Sequence, residues 1–118
     1  MSDSVLRDKS KGFAKDIVLL CRTLKQNGAE TALINQLIRC GTSVGANVHE
    51  AQYAQGTKDF ISKLEIALKE CNESEYWLEL LFETNSLTET DFKNFRNKCI
   101  ELRRMLVSSV TTLKEKLK

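Results

Sequence analysis

The feature that most constrains this chain is a helical rhythm that nothing interrupts. Apolar residues recur at alternating spacings of three and four through four long stretches, and the chain contains no proline. The first stripe is Leu6, Phe13, Ile17, Leu20 and Leu24. The second runs Leu33, Leu37, Cys40, Val44, Asn47, Ala51 and Ala54. The third is Phe60, Leu64, Ala67, Cys71, Ser74, Leu78 and Leu81, and the fourth Phe92, Phe95, Cys99, Leu102, Leu106, Ser109 and Leu113. Such spacing gives each helix one apolar face and lets neighbours pack at a shallow angle.

The breaks between stripes are short: Asn27-Gly28, Gln55-Gly56-Thr57 and Asn85-Ser86-Leu87-Thr88. Gly28 suits the left-handed position that ends a helix. Thr88-Glu89-Thr90-Asp91 reads as a capping box with the shorter acid. Helices are therefore expected over roughly 4–26, 30–54, 57–84 and 88–116 of a single domain spanning 1–118. Short connections make sequence neighbours antiparallel, so the predicted fold is an all-α, up-down-up-down antiparallel four-helix bundle. With 42% hydrophobic and 29% charged residues the composition is that of a soluble globular protein. No apolar run is long enough to span a bilayer, and the polar N-terminus lacks a secretory pattern, so a cytoplasmic location is expected. Cys21, Cys40, Cys71 and Cys99 stand far apart inside helical patterns and read as reduced core thiols.

The second stretch carries Gly41-Thr42-Ser43-Val44-Gly45-Ala46 through its middle. Each Gly costs roughly 1 kcal/mol relative to Ala in a helix interior. The compensation predicted here is close approach of another helix backbone. Asn47, a turn later on the predicted core stripe, needs a partner for its amide, from Ser43 or from a facing helix.

The third stretch has two faces. At 100° per residue, Ile66, Trp77 and Leu80 point away from the core stripe, interleaved with Glu70 and Glu73. One bundle core cannot bury both sets, so this second face is read as an interface, with a second copy of the chain as the expected partner. Charge is segregated too. Residues 1–29 carry six basic and three acidic groups and residues 88–118 eight and four, whereas residues 57–87 carry three and seven. On the fourth helix Lys93, Arg96, Arg103, Arg104, Lys114 and Lys118 fall away from the core. They offer a surface for nucleic-acid phosphates or for the acidic third helix of a neighbouring subunit.

Catalytic and metal-binding constellations are not evident. A di-metal bundle site needs two Glu-x-x-His motifs, and the chain has one histidine, His49, preceded at that spacing by Ala46. A four-cysteine zinc site would need the sulfurs in one layer, but Cys21 and Cys71 should lie roughly 12 Å apart along the bundle. His49 and Glu50 have no nucleophile beside them. No enzyme activity, metal, cofactor, small-molecule substrate or membrane partner is expected.

The run from Arg39 to Gln52 (RCGTSVGANVHEAQ), followed by Lys58-Asp59-Phe60-Ile61-Ser62-Lys63-Leu64, Ala67-Leu68-Lys69-Glu70 and Glu73-Ser74-Glu75-Tyr76-Trp77-Leu78, resembles the bacterial four-helix-bundle family encoded in intervening sequences of 23S ribosomal RNA genes. The family pattern falls on Arg39, Ser43, Asn47, Glu50, Asp59, Phe60, Lys63, Glu70, Glu73 and Trp77. Arg39, Ser43, Asn47, Glu50 and Lys63 are expected to form a polar network, and Arg39, Glu50 and Lys63 to join Glu70 and Glu73 in a charged network within or between subunits. The resemblance implies a homo-oligomer, specifically a pentameric ring. It also implies a relation to the accessory proteins of diversity-generating retroelements, which are basic pentamers that bind nucleic acid and a reverse transcriptase. The expected function is a non-enzymatic scaffold or interaction module. The alternative is a binder of structured RNA or of DNA through the basic faces of the first and fourth helices.

Overall fold

The structure, a computed structural model, describes residues 3–118; residues 1 and 2 of the expected domain lie outside the described residues. Four helices follow one another: α1 (Asp3–Gln26), α2 (Thr31–Ala51), α3 (Thr57–Glu83) and α4 (Glu89–Lys116). Each packs against the next, and α4 returns to α1, which closes an up-down-up-down bundle about 49 Å long and 21 × 20 Å across. The α1–α4 seam is much the loosest of the four.

The helix ends follow local chemistry. At the end of α1 the Ala29 N–H donates to the Leu24 carbonyl (3.0 Å) and the Gly28 N–H to that of Lys25 (3.2 Å), with Gly28 at φ 82°. That is a complete Schellman motif, placed where the glycine predicted it. The end of α3 repeats it with an asparagine: Asn85 sits at φ 67° and the Ser86 N–H donates to Leu81 (2.8 Å). At the start of α4 the Thr88 hydroxyl accepts from the Asp91 N–H at 3.1 Å, the hydroxyl half of the expected capping box. Helix α2 stops at Ala51, short of the expected Ala54. Its last amides, on Gln52, Tyr53 and Ala54, bond three residues back, which tightens the turn and ends the helix. The Asp59 carboxylate, in the first turn of α3, then accepts from the Gln55 N–H at 3.1 Å.

The core stripes match expectation on α1 and at most positions of the other helices, with departures of one residue near some helix ends. On α2 the fully buried positions are Leu37, Cys40, Val44, Val48 and Ala51; Val48, not Asn47, faces the centre. Asn47 is half-buried at the edge, and its amide donates to the Ser43 carbonyl at 2.8 Å. Serine 43 is thus the partner, through backbone rather than hydroxyl. On α3 Ile61 is in the core and Phe60 only half-buried; on α4 Val110 is buried in place of the half-buried Ser109, Met105 joins the expected Leu106, and Leu113 is half-buried against the core. At the C-terminal ends of the α2 and α4 stripes, Val48 and Val110, the cause is that 3.6 residues per turn drifts against a strict seven-residue count, so the buried stripe slides around a long helix.

The small residues of α2 meet the predicted neighbour, and it is α1. A Cβ built on Gly45 would lie 3.1 Å from the Ser10 carbonyl oxygen, and one on Gly41 would lie 2.9 Å from Ile17 Cγ2. At Gly45 the two helix backbones approach closely enough that an alanine would force one of them to give by a few tenths of an ångström, and at Gly41 the Ile17 side chain fills the space of a Cβ.

Candidate interaction surfaces

The α2–α3 face gathers most of the residues singled out in the sequence. Arg39 of α2 reaches across to α3, pairing through Nη1 with Glu70 (3.1 Å) and through Nη2 with Glu73. The same Glu73 oxygen accepts the indole N–H of Trp77 at 3.1 Å. Gln36, one turn before Arg39, accepts from its guanidinium. One carboxylate therefore ties a helix–helix ion pair to an aromatic ring, and each bond removes a rotamer from the others. Beneath them, Ser74 is fully buried and donates to the Glu70 carbonyl at 2.8 Å, with Cys40 Sγ 3.3 Å away.

The expected interface set is thus divided. Glu70, Glu73 and Trp77 engage one another and Arg39 within the chain. Trp77 and Leu80 are half-buried rather than projecting, and Trp77 packs on the core. Ile66 is 40% exposed, as the helical geometry predicted. Tyr76 was missed: it is 56% exposed and meets the Trp77 ring edge-on at 5.0 Å. Its only signal in the sequence was adjacency to the tryptophan. Of the expected polar network, Arg39, Ser43 and Asn47 make the contacts just described. Glu50 is exposed and Lys63 half-buried, and among the described residues neither makes an ion pair.

The basic face of α4 is largely answered inside the chain. Arg103 pairs with Glu75 (2.8 Å) and Lys114 with Glu65 (2.9 Å), both on α3. Lys98 pairs with Asp16 of α1, Lys93 with Glu89 and Lys118 with Glu115. Arg96 lies over the Phe92 ring at 5.4 Å, its Nε buried without a hydrogen-bond partner. Arg104 is exposed and carries no ion pair among the described residues. Two acids of α3, Glu65 and Glu75, thus meet the α4 of their own chain.

The four thiols are buried and unbonded to one another. Burial, with Cys40 adding, pushes Cys21 up to about 11, and burial likewise raises Cys40. Across α3 and α4 the Cys71 thiol donates to the Cys99 carbonyl at 3.4 Å; hydrogen bonding with Cys71 and then burial hold the Cys99 thiol well above the ordinary thiol range, while the same pairing lowers Cys71. Raised in this way, Cys21, Cys40 and Cys99 are poor nucleophiles and poor metal ligands. No helix among the described residues is long and apolar enough to cross a membrane.

Residues 2–108 match the family described as 23S rRNA-intervening sequence protein. The chain belongs to that family. A crystal structure of a protein of unknown function from the S23 ribosomal protein family of Bacteroides thetaiotaomicron is 45% identical and superimposes with a TM-score of 0.91, over 94% of this chain and 99% of that one. The four-helix bundle of the family is therefore the architecture of this member, in keeping with the resemblance carried by Arg39–Gln52 and the segments after it. No curated protein matches the chain.

Proposed function

We propose that this family member is a non-enzymatic homo-oligomer that acts as a scaffold, with its α2–α3 face buried against another copy. The observation that carries the reading is the Trp77 indole. It is fixed by Glu73, which is itself fixed by Arg39, it meets the exposed Tyr76 edge-on, and the exposed Ile66 lies about 16 Å along the same flank of α3. An aromatic ring whose polar atom is satisfied and whose rotamer is locked loses little entropy on docking, and such rings dominate interface energetics. The resemblance puts the count at five. Light scattering behind size exclusion tests this: the expected mass is about 67 kDa, five chains of 13.4 kDa. A monomer at tens of micromolar overturns the reading. Trp77→Ala should yield smaller species, since loss of a central aromatic costs about 2 kcal/mol or more per contact. An unchanged mass would place the anchor elsewhere.

The nucleic-acid alternative fits α4 less well, because Lys93, Lys98, Arg103, Lys114 and Lys118 already meet carboxylates of their own chain.

A further inference from the structure

Among the described residues, α1 carries the largest group of basic side chains without an ion pair. Arg7, Lys11, Lys15, Arg22 and Lys25 are all exposed, and among the described residues none of them meets a carboxylate. Lys9 is the one base of α1 with an ion pair, to Glu101, on the flank that faces α4. At 100° per residue, Arg7 and Lys11 lie instead on the flank toward α2. There they open into a groove of about 500 Å³ whose far wall carries His49 and Thr42. The groove's floor is made of small residues, Gly45 and Ala46 on α2 with Ala14 on α1. Against two full cations and an imidazole stands a single lining acid, Asp8.

A second feature sits at the mouth of this groove. Tyr53, just past the end of α2, is 72% exposed, the most exposed large apolar side chain described, and its ring centroid is 5.5 Å from that of His49. An aromatic ring in water beside a row of unpaired cations is the combination that single-stranded nucleic acid requires. Cations follow the backbone while a ring stacks on a base. Arg7, Lys11 and Lys15 succeed one another every four residues, about 6 Å along the axis, a spacing of the order between phosphates of an extended strand. A duplex would hide the faces of its bases from Tyr53. A membrane surface would need large apolar side chains to insert, and the groove has none.

We propose that the α1–α2 groove binds the phosphate backbone of single-stranded nucleic acid, with Arg7 and Lys11 on successive phosphates and Tyr53 stacked on a base. The inference does not depend on self-association, because its residues lie on the opposite flank of α2 from Arg39 and Trp77. If five copies assemble, five such grooves would multiply the affinity of one.

The test is fluorescence anisotropy of the full chain with a labelled 20-nucleotide single strand of mixed sequence, as RNA and as DNA, against a duplex of the same sequence. Either single strand should bind more tightly than the duplex. Affinity for single strands falls with salt at a slope of about −0.7 per phosphate contacted, so the two contacts of Arg7 and Lys11, or three with Lys15, predict a loss of about 7- to 20-fold between 50 and 200 mM salt. Arg7→Glu with Lys11→Glu should weaken binding more than tenfold and flatten the slope. Tyr53→Ala should weaken it about fivefold or more and leave the slope unchanged. Circular dichroism and mass should be unaltered in all of these exposed-residue variants. The proposal is overturned if no strand binds at 50 mM salt, if the Arg7/Lys11 variant binds like the parent, or if Arg104→Glu alone abolishes binding. It also fails if vesicles containing phosphatidylserine bind as tightly as the RNA while Tyr53→Ala changes nothing, since the surface would then select charge alone.

Discussion

The close α1–α2 crossing makes a prediction in which one substitution has opposite signs at two positions. Gly12→Ala and Gly45→Ala each replace a helical glycine, and helix propensity alone favours alanine by about 1 kcal/mol at both. At Gly12 the new methyl meets nothing within 4 Å, so the full propensity gain should appear. At Gly45 it would lie 3.1 Å from the Ser10 carbonyl oxygen, a backbone atom that a rotamer change cannot move. One helix must then shift by a few tenths of an ångström against a core that is already full, and overpacking of this kind costs about 1–3 kcal/mol. Net of propensity, Gly45→Ala should lose about 1 kcal/mol. A chain of 118 residues has an unfolding entropy near 0.25 kcal/mol/K, so 1 kcal/mol corresponds to about 4 °C in Tm. Thermal melts by circular dichroism at 222 nm should thus show Gly12→Ala about 4 °C above the parent and Gly45→Ala about 4 °C below it. Protein concentration must be held constant, because an oligomer's Tm depends on it. Two shifts of the same sign would refute the close-approach argument. Gly41→Ala, with Ile17 at 2.9 and 3.0 Å in the sealed core, should cost more than Gly45→Ala.

Three further outcomes follow from the described contacts. Thr88→Ala removes the hydroxyl that caps α4 and should lower stability by about 1 kcal/mol in urea titration, with the m-value unchanged. Arg39→Ala breaks a partly exposed pair, worth about 1 kcal/mol or less to the monomer fold, yet it releases Glu73 and hence Trp77. Its effect on oligomer mass should accordingly exceed its effect on the Tm of the isolated fold. The buried thiols should resist dithionitrobenzoate until the chain unfolds. Because Cys21 is raised from 9.0 to about 11 by burial, its contribution to stability is fully present below pH 9 and is lost as pH rises toward 11. Denaturation midpoints that stay flat across that alkaline window would contradict the assignment.

The candidate surfaces were only partly legible in the sequence. Ile66 and Trp77 could be placed off the core stripe by angle alone, but angle does not say how far a large ring folds back, and Trp77 returns to pack on the core. The charges of α4 were read as free because helical geometry reports the side a residue faces and not the partner opposite it. Glu65 and Glu75 could be paired with Lys114 and Arg103 only once the register of α3 against α4 was known. The α1–α2 groove was invisible for the same reason: Arg7 and His49 are 42 residues apart in the chain.

The pattern of side chains along the chain was enough to determine the four helices, their order, the Schellman end at Gly28, the cap at Thr88 and the need for a close neighbour at Gly41 and Gly45. Each of these depends on residues within a turn or two of one another. Tertiary structure alone decided that the neighbour is α1, that Glu73 joins Arg39 to Trp77, and that α1 rather than α4 keeps the largest group of cations without an ion pair. Those outcomes depend on the axial register between helices, which is set by how whole apolar faces interlock and which no local spacing encodes.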